Sequence, residues 1–98
     1  MDSRFIDVKV NGDSMWPTLR DGDIVRFEII DSNLIEPNLI VLFKHPFKKD
    51  FYLIKRISNI EDGEVFLVGD NPDPNASDDS HNFGRINVKD IIAVIQEA

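Results

Sequence analysis

The 98-residue sequence contains no cysteine, two histidines and no apolar run longer than five residues, of which Leu39 to Phe43 is an example. The absence of cysteine excludes disulfides, thiolate metal sites and a cysteine nucleophile. His45 and His81 lie too far apart to indicate a zinc site. The apolar runs are far shorter than the roughly 20 residues of a membrane-spanning helix, and residues 1–4 do not begin a signal peptide. We therefore expect neither a zinc site nor a membrane anchor.

Positive charge is also scarce, because 11 lysines and arginines stand against 18 acidic residues and the net charge is −7. Binding to nucleic acid or to an anionic membrane needs clustered positive charge. The nearest approach to a cluster is Lys44, Lys48 and Lys49. Asp50 follows it directly, and we expect a solvated turn there. The sequence therefore predicts a protein with no nucleic-acid partner and no membrane partner.

The remaining composition, 42% hydrophobic and 30% charged, is typical of a globular chain, and this length predicts a single domain over residues 1–98. Short runs rich in β-branched and aromatic residues recur between turns of Gly, Pro and Asp. They predict strands over 5–10, 24–30, 39–43, 51–59, 64–68 and 91–95, and one short helical turn over 14–19. The fold class is therefore mostly β, a compact curled sheet or partly open barrel.

Lys55 lies in the middle of a predicted strand. Strand alternation places it on one face with Phe51, Leu53 and Ile57. Burial among apolar neighbours lowers the pKa of a lysine, and a neutral amine can act as a general base. The alternative is a lysine that extends to solvent at a sheet edge or pairs with an acid, and the strand pattern alone favours that alternative.

Ser14 follows the turn formed by Asn11, Gly12 and Asp13 and begins the predicted helical turn. Backbone N–H groups at such a turn can converge on an oxyanion. A serine needs an adjacent base to act as a nucleophile, and serine is also a common helix cap. Taken by itself, this segment favours the cap.

The polar 69–84 segment is unusually long for a loop in a compact domain, and such loops are often functional. In it, Asp70 is placed to pair with Arg56, and Ser77 to orient a neutral Lys55 amine. The same segment offers oxygen ligands for calcium, although without the order of an EF-hand. Those ligands are Asp70, Asn71, Asp73, Asn75, Asp78 and Asp79. Composition also allows a Ser-His-Asp triad with either histidine, but neither histidine lies in a supporting motif.

Three segments in order resemble the boxes of the signal-peptidase-type (peptidase S24/S26-like) serine proteases, whose members use a Ser/Lys dyad. One box alone is a weak signal, whereas all three in order, over roughly residues 8 to 95, are a strong one. The first box is Gly12 to Leu19 followed by Asp21 to Val25, and the second is Ile54 to Ile57. The third is Gly69 to Asn71, then Ser77 to Ser80, then Phe83 and Gly84.

The resemblance implies that Ser14 is the nucleophile, that Lys55 is the general base and that Ser77 hydrogen-bonds the lysine amine. It also implies that Asp70 braces Arg56.

The resemblance further implies that Asp79 and Ser80 fix the 69–84 segment. Some members place a serine two positions before the nucleophile, where this chain has Gly12. The resemblance then leaves the oxyanion to the backbone N–H groups of Gly12, Asp13 and Ser14. The usual arginine after the Asp-Ser pair is His81 here, which leaves open what pairs with Asp79.

The His45-Pro46 turn and the short hairpin after Glu61 resemble a subgroup of this family, the nickel-type superoxide dismutase maturation proteases. That similarity implies a cytosolic (cytoplasmic) endopeptidase that removes an N-terminal extension from a precursor protein, the precursor of that dismutase, and that needs no metal or other cofactor. The alternatives are a signal-peptidase-like protease, a self-cleaving repressor-type domain and a catalytically silent peptide-binding module. Self-cleavage needs a DNA-binding segment and an internal cleavage loop, and neither is visible in the sequence.

Overall fold

One antiparallel sheet of seven strands organises residues 4–95, the part of the chain that the computed structural model describes. Its spatial order is β1-β2-β7-β3-β4-β5-β6. The strands are β1 Phe5–Lys9, β2 Ile24–Glu28, β3 Ile40–Lys44, β4 Tyr52–Glu61, β5 Glu64–Val68, β6 Ile86–Asn87 and β7 Ile91–Val94. Since β1 and β6 do not pair with each other, the sheet is curled but not closed, and the predicted fold class is confirmed.

Helical structure is short and lies in the connections. The α-helix α1 spans Ser80–Phe83, and 3-10 turns span Ser32–Leu34, Pro74–Ala76 and Val88–Asp90. Residues 14–19 form consecutive turns with one α-type hydrogen bond, in which the Leu19 N–H donates to the Met15 carbonyl at 2.9 Å. No helix in the described ranges is long and apolar enough to cross a bilayer.

The central strand β3 is buried on both faces, as its continuous apolar run predicts. Its side chains alternate between two buried clusters. Val41 and Phe43 pack in a cluster with Ile57, Val65, Leu67, Ile86 and Val94. Ile40 and Leu42 pack in a second cluster with Met15, Phe27 and Ala93. The second cluster anchors the 11–19 turn, because Met15 is 1% exposed.

Two strand edges lie near the 11–19 turn, which contains Ser14. β1 is an outer strand that pairs only with β2. The first part of β4, from Tyr52 to Lys55, pairs with β3 on one side, while β5 begins to pair only at Arg56. The described chain therefore leaves a free edge along residues 52–55, next to the 11–19 turn.

Candidate active site

The 11–19 turn presents Ser14 between two fixed points. On one side, Gly12 has a φ of 86° and its N–H donates to Asp21 Oδ1 at 2.7 Å. On the other side, the Trp16 N–H donates to the Asp13 carbonyl at 3.0 Å, and Met15 is buried in the core. A glycine suits position 12 because a left-handed φ costs other residues conformational energy.

Lys55 meets Ser14 from the middle of β4. Its Nζ lies 2.8 Å from Ser14 Oγ, and the residue is 2% exposed. On its own face of the strand, Ile57 is fully buried, Leu53 is half-buried and Phe51 is exposed. The structure therefore brings together the two residues that the sequence proposed as nucleophile and base, 41 positions apart.

The electrostatic surroundings of Lys55 favour the neutral amine. Burial lowers its pKa from the ordinary lysine value, and the negative charges of Asp79 and Asp78 oppose that shift without cancelling it. Desolvation penalises the charged form of any group, so an ammonium without a close carboxylate loses part of its stabilisation. In the protonated state Nζ donates to the Ser14 hydroxyl, and in the neutral state it can accept the hydroxyl proton.

Asn71 fastens the 69–84 segment to the 11–19 turn, which we call the nucleophile turn after the predicted role of Ser14. Its backbone N–H donates to the Ser14 carbonyl at 3.0 Å, and its Nδ2 donates to the Asp13 carbonyl at 2.8 Å. Gly69 makes this approach possible, because a Cβ there would lie 2.6 Å from the Ser14 carbonyl oxygen. Sequence reasoning gave Asn71 no such role, and its only signal was its place in the third box.

Ser77 is not bonded to the lysine as the sequence predicted. Its Oγ donates to Asp79 Oδ2 at 3.2 Å, and within residues 4–95 no hydrogen bond joins it to Lys55. The hydroxyl still lies beside the nucleophile turn, since a Cβ at Gly69 would be 2.7 Å from it. The correction has a physical reason, because a carboxylate two residues away is a stronger acceptor than a lysine amine.

Arg56 and Asp70 form the predicted pair with two parallel hydrogen bonds, both at 2.8 Å. Thr18 Oγ1 also donates to Asp70 Oδ2 at 2.6 Å, a contact that sequence reasoning missed. The hydrogen bond from Arg56 is the main cause that lowers the pKa of Asp70, and burial opposes it. This group links β4, the 69–84 segment and the nucleophile turn.

Asp79, Ser80 and His81 hold α1 in place. Asp79 caps the helix by accepting from the His81 N–H at 2.9 Å, and Ser80 Oγ accepts from the Leu67 N–H of β5 at 2.9 Å. The His81 ring also contacts this carboxylate, with its Nδ1 2.8 Å from Asp79 Oδ1. Burial raises the pKa of Asp79, but the hydrogen bonds from His81 and Ser77 outweigh burial and lower it.

The histidine-triad alternative does not fit this geometry, and the structure adds no support for the calcium alternative. Within the described ranges, no group of three or more His, Asp or Glu side chains could hold a metal ion. His45 bonds Asp78 and the Phe47 N–H, and His81 bonds Asp79. Within residues 4–95 neither histidine hydrogen-bonds Ser14.

The predicted backbone oxyanion set needs one correction. The Gly12 N–H is not free to stabilise an oxyanion, because it donates to Asp21. Within residues 4–95, the N–H groups of Asp13 and Ser14 have no hydrogen-bond acceptor. Those two groups remain available to stabilise negative charge on a substrate oxygen.

A cleft of about 330 Å³ opens beside Ser14 and Lys55. It lies between the end of β1 and the beginning of β4, the two strand edges described above. Most of its wall is apolar, from Val8, Val10, Met15, Leu42, Leu53 and Ile54. Its position lets an extended peptide reach the serine hydroxyl while pairing with a strand edge.

A serine hydroxyl held against a buried lysine, in a cleft at the edge of an open β-sheet, is an arrangement typical of serine hydrolases. The chain matches the family model described as Peptidase S24-like over residues 2–95 and belongs to that family. Membership supports a function of the serine protease type. A search of the curated proteins finds no match for this chain.

Proposed function

We propose that the chain is a serine endopeptidase in which Ser14 is the nucleophile and Lys55 the general base. One observation carries this proposal: Lys55 Nζ lies 2.8 Å from Ser14 Oγ while the lysine is 2% exposed. The distance is within reach for proton transfer, and burial lowers the pKa of the amine toward the range in which a base can work.

The reaction begins when neutral Lys55 takes the proton of the Ser14 hydroxyl. Ser14 Oγ forms a bond to the scissile carbonyl carbon, and the carbonyl oxygen becomes an oxyanion that the Asp13 and Ser14 N–H groups stabilise. The tetrahedral intermediate collapses as the lysine ammonium gives its proton to the leaving amine, which leaves an acyl-enzyme. Lys55 then takes a proton from a water molecule whose oxygen bonds to the acyl carbon. As the ester bond to Ser14 Oγ breaks, the ammonium returns the proton to that oxygen, which releases the acid and regenerates the serine hydroxyl.

We propose a precursor protein with an N-terminal extension as the substrate, and the nickel-type superoxide dismutase precursor as the first candidate. The sequence similarity to that maturation subgroup supports this choice. A single 98-residue domain acting in the cytoplasm, with no metal of its own, completes the proposal. The cleft supports an extended segment of substrate, since it lies between two strand edges.

The direct test incubates the protein with the dismutase precursor and follows the intact masses of both chains. We expect a shortened precursor with wild type and none with Ser14→Ala. Ser58→Ala is the matched control, because Ser58 is an exposed serine elsewhere on the chain, and it should cleave as wild type does.

The other outcomes are distinct. A shortened peptidase chain instead indicates self-cleavage. Unchanged masses of both chains, together with no cleavage of a mixed peptide library, indicate a silent peptide-binding module. Cleavage of a mixed peptide library without cleavage of the precursor contradicts the substrate but not the chemistry. Cleavage by Ser14→Ala at the wild-type rate contradicts the nucleophile.

A further inference from the structure

His45 is a buried histidine that the proposed reaction does not use. It is 4% exposed and lies just after β3, at the start of the β3–β4 turn of residues 45–51. The Phe47 N–H donates to its Nδ1 at 3.1 Å. That nitrogen is therefore unprotonated, so the proton lies on Nε2, which donates to Asp78 Oδ2 at 3.0 Å.

Aromatic rings fix the imidazole plane. The centroid of Phe83 lies 5.0 Å from that of His45, in an edge-on arrangement, and those of Phe51 and Phe47 lie at 5.9 and 6.2 Å. Phe83 belongs to α1, whereas Phe47 and Phe51 belong to the turn. The ring therefore connects the β3–β4 turn with the 69–84 segment by packing as well as by a hydrogen bond.

Asp78 stands between two residues that border the site. Ser77 lies against Gly69 beside the nucleophile turn, and Asp79 caps α1. The charge of Asp78 acts on Lys55 together with that of Asp79. A contact that fixes Asp78 therefore fixes both the path of the 69–84 segment and the position of one negative charge near the lysine.

We propose that His45 is a positioning residue for the Ser14–Lys55 pair, which acts by holding Asp78 and the 69–84 segment against the β3–β4 turn. The inference rests on the proposed function, because positioning matters only if the pair reacts. The contact lies within the protein: the neutral imidazole of His45 donates one hydrogen bond to the carboxylate of Asp78, which is about one-third exposed.

Asp78 is not the only charged group near Lys55, and the others also affect the titration of its amine. Asp79, which His81 contacts, lies on the 69–84 segment, Asp50 on the β3–β4 turn, and Lys9 across the cleft on β1. Lys48 also approaches Asp78, at 3.7 Å, but its side chain is 59% exposed. An exposed pair at that distance contributes little, so Lys48 serves as a control.

The test compares the pH dependence of kcat/KM in wild type, Asp78→Asn and His45→Phe. Because a nearby negative charge stabilises the ammonium, Asp78→Asn is expected to move the rising limb of the profile to lower pH. His45→Phe keeps an aromatic ring but loses the donor. It should move the limb in the same direction and lower the plateau by about tenfold. The double variant should add little to either single change.

Two variants serve as controls. His45→Gln keeps an amide donor for Asp78 and is expected to keep the wild-type limb, and Lys48→Met should leave the profile unchanged. A limb that moves in Asp78→Asn but not in His45→Phe overturns the inference. So does a loss of activity in His45→Phe that matches its unfolded fraction with the limb unmoved, since that result describes a merely structural residue.

Direct titration of Lys55 separates this inference from the proposed function. In a Ser14→Ala background, the side-chain carbon next to Nζ reports the protonation of Lys55 by NMR without any turnover. If wild type cleaves nothing, the proposed function fails, and the titration still shows whether His45→Phe shifts Lys55 as Asp78→Asn does. An unshifted titration in His45→Phe overturns the positioning role even when cleavage is normal.

Discussion

Lys55 lies in an environment that is costly for an amine, because it is 2% exposed and its hydrogen-bond partner is the Ser14 hydroxyl. A buried charge is stabilising only when its partners compensate for lost hydration. Here Asp78 and Asp79 compensate in part, since the pKa of Lys55 remains lowered. Lys55, which the proposed chemistry needs, is therefore a residue that lowers the stability of the folded protein.

Lys55→Met is expected to raise the free energy of unfolding at neutral pH by on the order of 1 kcal/mol while abolishing cleavage. The lowered pKa means that the unfolded chain binds more protons than the folded chain between the folded value and the ordinary 10.5. Wild-type stability therefore rises with pH across that window. The advantage of the variant should be largest below the folded pKa and should shrink as pH rises.

Urea unfolding of both proteins over a pH series measures this difference, in which the titration of other groups cancels. Lys49→Met, at an exposed lysine, is the matched control and should change the free energy of unfolding by less than about 0.5 kcal/mol. A constant difference between wild type and Lys55→Met at every pH would contradict a lysine whose pKa is lowered by folding.

At the scale of elements, the site depends on how closely the 69–84 segment approaches the nucleophile turn. Gly69 determines that distance, because a Cβ there would lie 2.6 Å from the Ser14 carbonyl oxygen and 2.7 Å from Ser77 Oγ. The Ser14 carbonyl is part of the backbone, which cannot move aside as a flexible side chain can. The two segments must therefore separate to admit any side chain at this position.

Gly69→Ala is expected to lower kcat by at least about 100-fold and to destabilise the protein by about 1–3 kcal/mol. Gly63→Ala is the control, because Gly63 in the β4–β5 turn has a φ of 76° and open space around it. That change should cost about 1–2 kcal/mol through backbone strain and leave kcat unaltered. Equal kcat values for the two variants would contradict the close approach.

The Arg56–Asp70 pair is the second link between elements, and its stability contribution depends on pH. Asp70→Asn is expected to lower the free energy of unfolding by about 1.5–3 kcal/mol at neutral pH, since it removes hydrogen bonds between charged groups. The pKa of Asp70 is lowered in the folded state, so this contribution is present above the ordinary value of 3.8 and is lost as pH falls through the folded value.

Unfolding of wild type and Asp70→Asn at pH 7 and at low pH checks the sign. Thr18→Val removes only the 2.6 Å hydrogen bond to Asp70 and should give a smaller loss at neutral pH. A difference between wild type and Asp70→Asn that persists undiminished in acid would contradict an ionised, paired Asp70.

Sequence patterns predicted the elements that local periodicity determines and missed those that depend on partners. The apolar run before Lys44 and the Asp62-Gly63 turn predict β3 and the β4–β5 hairpin directly. β6 was missed because it has only two residues, Ile86–Asn87, too few for a period. α1 was missed because its four residues depend on the Asp79 cap rather than on an apolar stripe.

The site shows the same division. The motifs predicted two contacts that the structure contains, Ser14 with Lys55 and Arg56 with Asp70. They did not predict that the Ser77 hydroxyl donates its hydrogen bond to Asp79, or that the Gly12 N–H donates to Asp21. Each of these depends on the position of a carboxylate in three dimensions, which the order of residues leaves open.

At the scale of the whole molecule, both buried clusters share β3, because successive residues of this strand point into opposite clusters. Neither cluster can lose its packing without exposing one face of the central strand. The nucleophile turn packs on one cluster through Met15, while Lys55 lies on β4 beside β3. The geometry of the site therefore depends on both clusters at once.

This sharing predicts a single cooperative unfolding transition for the domain. Met15→Ala and Leu67→Ala, one in each cluster, should each lower the free energy of unfolding by about 2–5 kcal/mol. Leu34→Ala is the control, since Leu34 is 63% exposed, and it should change that free energy by less than about 0.5 kcal/mol.

Fluorescence of Trp16, the single tryptophan, reports on the surroundings of Met15, and far-UV circular dichroism reports on the whole sheet. The two signals should give coincident urea transitions in wild type and in both core variants, because β3 couples the clusters. If Leu67→Ala moved the dichroism transition but left the Trp16 transition in place, the clusters would unfold separately. The Ser14–Lys55 geometry would then depend on the Met15 cluster alone, and the predicted single domain would be wrong.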